Sequence, residues 1–156
     1  MPYYLDSSAA VKRYAPETGG EWVRSIVEPV AGNIVYLGQV GIVEIAAALS
    51  KKVRAHELSR EDYAAALWLF LSDVRNEEYI IAPLSDQVVE LAVTLTTRHP
   101  LRGYDAVHLA TAVVLNGALT AAKLPSLLFV SADVALCQAA RMEGLGADNP
   151  DEHGGS

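Results

Sequence analysis

The sequence predicts an α/β fold: a central parallel sheet of four strands flanked by helices. Two observations predict it. Short apolar runs suited to strands alternate along the chain with longer helical stretches, and strands separated by helices pair in parallel with both faces covered. At 156 residues, 51% of them hydrophobic, the chain has the length of one domain and the apolar content to fill its core.

The elements follow in order. Pro2 to Leu5 reads as the first strand, and helices follow from about Ser8 to Tyr14 and from about Gly20 to Val27. Ile34 to Leu37 is the second strand, leading to a helix from Val40 to about Arg54 whose middle is Ala46, Ala47, Ala48 and Leu49. Ser59 is a good N-cap, with Glu61 and Asp62 in the first turn, for a helix running to about Glu78. Tyr79 to Ala82 is the third strand, stopped by Pro83. Helices at about Asp86 to Arg98 and Tyr104 to Asn116 precede a fourth strand at Leu127 to Val130, and a last helix runs from about Asp133 to Glu143. Little after Gly144 looks like a fifth strand. The domain is expected to span 1–147, with a polar, Gly-rich tail at 148–156 expected to be disordered.

Composition excludes several classes. The mean hydropathy is +0.20, yet no uncharged apolar run is long enough to span a membrane, and MPYYLDSS lacks the basic start of a signal peptide. Cys137 is the single cysteine, so neither an internal disulfide nor a thiolate metal cluster is available. A cytoplasmic protein is expected. The net charge of −7 argues against simple attraction to nucleic acid. Small basic clusters can still hold a phosphate backbone: Lys12 with Arg13, Lys51 and Lys52 with Arg54, and Arg98 with Arg102. Each is also what ordinary solvated surface looks like.

Four acids stand almost alone. Asp6 is the one charged side chain from Met1 to Val11, Glu44 from Pro29 to Ser50, Asp105 from Gly103 to Ala122, and Asp133 from Leu124 to Ala140. A carboxylate in an apolar segment must be neutralised, paired or bound to a metal, and no Lys or Arg lies inside these segments. A hard divalent cation with oxygen ligands is the economical solution. Asp6 follows the first strand directly and Asp133 lies three residues after the fourth, at strand carboxyl ends where open parallel sheets bind ligands. Capping competes as an explanation at Asp133, and less strongly at Asp6 and Asp105. Glu44, flanked by Val43 and Ile45 within its helix, does no capping work.

LDSSAAVKRY at 5–14, Glu44 within VGIVEIAAAL, RGYDAVHLATA at 102–112 and VSAD at 130–133 resemble, in order and spacing, the signature of PIN-domain ribonucleases, and particularly the VapC toxins of toxin–antitoxin pairs. The resemblance covers about residues 2–145. It implies a PIN-like three-layer sandwich, with a central parallel sheet of four or five strands flanked by helices, and a metal-dependent endoribonuclease whose acidic site is formed by the positions matching Asp6, Glu44, Asp105 and Asp133. It also implies Mg2+ or Mn2+ as cofactor, RNA as substrate, a cognate antitoxin and a homodimer. Ser7 and Ser131 are candidates to hydrogen-bond the carboxylates. His108, three residues after Asp105, is read as a hydrogen-bonded structural histidine. A receiver-type phospho-acceptor wants paired acids after the first strand, and a haloacid-dehalogenase phosphotransferase wants Asp-x-Asp; Ser7 and Ser8 deny both patterns. The rival from another class is a PIN-fold binding module that does not cleave.

Overall fold

The structure, a computed structural model, describes residues 1–155. Five strands form one sheet in the order β3-β2-β1-β4-β5, all parallel. They are β1 (Pro2–Leu5), β2 (Ile34–Gly38), β3 (Ile80–Ala82), β4 (Leu128–Val130) and β5 (Gly146–Asp148). Seven α-helices surround them: α1 (Ser7–Ala10), α2 (Gly20–Val27), α3 (Gln39–Arg54), α4 (Arg60–Arg75), α5 (Asp86–Arg98), α6 (Gly103–Ala121) and α7 (Val134–Met142).

Strand side chains alternate between faces, and the two faces feed two cores. Tyr4, Tyr36 and Phe129 point to one side, where they meet Val88, Ala92 and Leu95 of α5, Leu109 of α6 and Leu136 of α7. Leu5, Val35, Leu37 and Val130 point to the other, against Ala9, Val23, Ile45, Leu49 and Phe70. The three layers expected from the sequence are therefore present. β1, at the centre, is buried on both faces.

Two regions differ from expectation. The helix expected from Ser8 to Tyr14 is one α turn followed by 3-10 turns over Val11–Arg13. The tail is not disordered where it is described: Gly146–Asp148 adds a fifth strand beside β4, and Pro150–His153 makes a 3-10 turn packed against α2. Ser156, the last residue of that tail, lies outside the described residues. No helix among the described residues is long and apolar enough to cross a membrane.

Candidate active site

β1 ends at Leu5, and the next residue begins the site. Asp6 has extended backbone and caps α1, its Oδ1 accepting from the Ala9 amide at 3.0 Å. The same oxygen accepts from Ser8 Oγ at 2.6 Å, and Oδ2 accepts from Ser131 Oγ at 2.6 Å. Ser131 follows β4, the strand paired with β1, so the parallel register delivers both groups to one edge. With 4% exposure Asp6 is nearly sealed from solvent, and burial raises its proton affinity while the Ser131, Ser8 and Ala9 bonds and the nearby His108 partly offset that. Ser8, rather than the expected Ser7, bonds the carboxylate.

Ser131 also accepts from the Asp133 amide at 3.1 Å, and Ser8 accepts from the Ala132 amide at 3.0 Å. The two serines thus tie the β1 turn to the β4 turn. Asp133 caps α7 through Oδ1 to the Leu136 amide at 3.0 Å. One of its oxygens does the capping work that competes with a site role.

Asp105 lies in the first turn of α6, half-buried. Its proton affinity is raised by partial burial, then by the like charges of Asp133 and Asp6, against smaller opposing effects of Arg102 and His108. Arg102 Nε stands 4.0 Å from Asp105 Oδ2 on a side chain 91% exposed, where it neutralises little. Asp6, Asp105 and Asp133 are therefore brought into one negative field at the carboxyl ends of β1 and β4.

Glu44 is held separately. One of its oxygens accepts a hydrogen bond from His108 Nε2 across the site, and His108 Nδ1 bonds the Tyr4 hydroxyl at 2.8 Å. A carboxylate can only accept, so Nε2 carries a proton and donates. His108 is 1% exposed and Tyr4 fully buried, so the pair is a rigid strut between β1 and α3. Burial, with Asp6 and Glu44 nearby, pushes the Tyr4 phenol far above its ordinary range, and it stays protonated. Room for this strut comes from Gly38, where a Cβ would sit 2.5 Å from the Tyr4 hydroxyl oxygen. His108 is hydrogen-bonded through both ring nitrogens, to Tyr4 and to Glu44, as the sequence reading of a hydrogen-bonded histidine expects.

The donor chemistry suits a hard cation: all four acids offer oxygen, and three of them repel one another. As they stand, however, no three acid, histidine or cysteine side chains among the described residues are placed to hold one ion together. Asp6 in particular keeps both oxygens on protein donors.

A parallel sheet with carboxylates collected beyond the ends of its two central strands is the arrangement of a PIN domain, and the sequence model of that family, the PIN domain, matches residues 3–141. Ribonuclease VapC45 and Ribonuclease VapC49, both of Mycobacterium tuberculosis, are each 32% identical to the chain over 116 residues, 72% of this chain and 76% of theirs. The chain belongs to the PIN domain family, in its VapC branch. Solved structures share the fold: PAE2754 from Pyrobaculum aerophilum, with TM-score 0.61, 20% identity and coverage of 98% of this chain and 92% of that one; and VapBC2 from Rickettsia felis bound to a DNA fragment from their promoter, with TM-score 0.64, 16% identity and coverage of 96% and 98%. A structure of FitAB bound to the IR36 DNA fragment matches with TM-score 0.64 at 17% identity, covering 96% of this chain and 95% of that one.

Proposed function

We propose that the chain is an endoribonuclease toxin of a toxin–antitoxin pair that hydrolyses RNA phosphodiester bonds with Mg2+ or Mn2+. One observation carries the reading: Asp6, Asp105 and Asp133 come together so that partial burial, and then the like charges of Asp133 and Asp6, raise the proton affinity of Asp105 against smaller opposing effects of Arg102 and His108. Such an arrangement costs stability, and a divalent cation is the partner that relieves it. The names of the relatives, Ribonuclease VapC45 and VapC49, supply the reaction class. The neighbours VapBC2 and FitAB, each a two-component name, point to an antitoxin partner.

In this reading Asp6, Glu44, Asp105 and Asp133 would hold the metal, which would supply polarisation of the phosphodiester and a lower pKa for a water. The chain's own residues prepare the place. Ser8 and Ser131 fix the Asp6 carboxylate, and the Tyr4–His108 strut aims Glu44 inward. Asp105 and the second oxygen of Asp133 remain the least committed donors, able to turn toward an arriving cation.

A homodimer and antitoxin binding belong to the same proposal, as does a cytoplasmic location. Helix α4 supports the partner surface: Ala66 and Phe70 are buried, while Trp68 is 67% and Leu69 45% exposed. The sequence AAALWLFL at 64–71 is apolar on every face, and the fold covers one of them. The alternative of a non-catalytic scaffold is decided by cleavage. Purified chain with Mn2+ should cut RNA, and Asp6→Asn should lower the rate by about 100-fold or more while the protein stays folded. Cleavage by Asp6→Asn at the wild-type rate overturns the metal site.

A further inference from the structure

The C-terminal turn lines a cavity of mixed polar and apolar walls, and the turn is held by a charge pair. Asp151 Oδ1 lies 2.8 Å from Lys12 Nζ, an ammonium on a side chain only 4% exposed. Lys12 also donates to the Thr18 carbonyl at 2.8 Å and reaches Glu17 Oε1 at 3.5 Å. The turn has further seats: His153 stacks on Trp22 with ring centroids 4.0 Å apart, and the Gly19 amide donates to the Gly155 carbonyl at 2.6 Å. At Gly19, with φ +81°, a Cβ would stand 2.2 Å from the Pro150 carbonyl oxygen, so this seat admits glycine alone.

Beneath the turn lies a cavity of about 330 Å³ whose lining includes Ser8, Lys12, Glu17, Lys52, Ala132 and Asp151. Two of these residues join it to the acidic site. Ser8 Oγ donates to Asp6 and accepts from the Ala132 amide, one residue before Asp133. The cavity that the lysines line therefore reaches the serine that holds Asp6. Lys52 Nζ lies 3.3 Å from Glu17 and 3.2 Å from Glu57, while Glu17 Oε2 is buried without a hydrogen bond.

We propose that this cavity takes a backbone phosphate of the RNA adjacent to the one being cut, and that Asp151 keeps that phosphate's place until RNA displaces the turn. The inference rests on the ribonuclease reading. A chain of net charge −7 must hold a polyanion through a local cationic surface. Of its basic groups, Arg13 is committed to Asp73, Glu78 and Glu28, and Arg98 to Glu143. Lys12, Lys51 and Lys52 line the cavity that also reaches Ser8. Three acids, Glu17, Glu57 and Asp151, balance them, and withdrawing Asp151 leaves the cations in excess. A carboxylate and a phosphate oxygen offer an ammonium the same charge-assisted acceptor. Asp151 is the exchangeable one, 46% exposed on a single turn, whereas Glu17 is held from two sides by Lys12 and Lys52.

The test is RNA binding without catalysis: anisotropy of a fluorescent RNA oligonucleotide with the full chain in EDTA. Asp151→Asn should tighten binding roughly threefold to tenfold. Glu152→Gln, the neighbouring acid of the same turn with the same change in net charge, should leave it unchanged. Lys52→Gln should weaken binding by a similar factor, and it decides the matter if Asp151→Asn loosens the fold. Equal tightening by both acid variants means a net-charge effect and overturns the subsite, as does wild-type affinity in Asp151→Asn or Lys52→Gln. Failure here with Mn2+-dependent cleavage intact removes the subsite alone. The expected binding pattern in a chain that never cleaves removes the ribonuclease reading instead.

Discussion

Two clusters of charge, one around Arg13 beside α4 and β3 and one beyond the carboxyl ends of β1 and β4, are built on opposite principles. In the first, the Arg13 guanidinium is surrounded by acceptors: Glu78 at 2.7 Å, Asp73 at 3.3 Å, Glu28 at 3.6 Å and the Tyr79 hydroxyl at 3.0 Å. Tyr14 closes the network, donating to Asp73 at 2.7 Å. In the second, the like charges of Asp133 and Asp6 act on a partly buried Asp105, whose arginine neighbour Arg102 is exposed. The first cluster is compensated and ties the turn after α1 to α4 and β3. The second is left uncompensated, and that imbalance is what a ligand can exploit.

Breaking the compensated cluster should have the largest effect. Arg13→Ala removes the cation from Asp73, whose side chain is 6% exposed, and leaves a buried acid without its charge partner. A loss of about 3–5 kcal/mol is expected, which corresponds to a fall in Tm of roughly 2–4 °C per kcal/mol for a chain of this size. Chemical denaturation would register it directly, and a loss under about 1 kcal/mol would mean that the network is no more than surface decoration.

Gly38→Ala tests the strut that serves the second cluster. The added methyl meets the Tyr4 hydroxyl oxygen at 2.5 Å, so either strand β2 or Tyr4 must move. The expected cost is about 1–3 kcal/mol, as for overpacking elsewhere. Cleavage should fall further than stability alone explains, because Tyr4 holds His108 and His108 holds Glu44. Activity that tracks the folded fraction alone would show the strut to be structural only.

Much of this was legible in sequence, for reasons that differ by residue. Helix α5 lies where Ser85, Asp86 and the apolar spacing of Val88, Ala92 and Leu95 put it, because cap and stripe agree. The four acids stand out in the sequence because each is the lone charge in an otherwise uncharged stretch. β5 escaped because GAD carries none of the residues that favour strands; its pairing with β4 is made by backbone alone. Asn116 and Gly117 look like a helix stop, yet α6 continues to Ala121 while Asn116 Oδ1 accepts from the Leu127 amide at 3.0 Å. The partners of Glu44 and Lys12 were invisible for another reason. His108 and Asp151 are distant in sequence, and only the closed sheet brings them near.

The smallest effect gives the sharpest comparison, because it changes sign between the two clusters. Removing an acid from the first weakens the protein, whereas Asp105→Asn should stabilise the metal-free chain, by at most about 1 kcal/mol since the site is partly screened by solvent. The pH dependence follows from the direction of the Asp105 shift. Its proton affinity is raised above the ordinary value of 3.8 by burial and by Asp133 and Asp6. Between that value and the higher folded one, the native state binds more protons than the unfolded state, so this group's contribution to stability falls as pH rises through the window. The advantage of Asp105→Asn should therefore be full at neutral pH and shrink as pH drops toward 3.8. Melting both proteins in EDTA across that range measures it. Saturating Mn2+ at neutral pH should reverse the order, since the wild type then gains a cation that the variant binds less well. A variant that is less stable than wild type in EDTA at neutral pH would place Asp105 among the compensated charges.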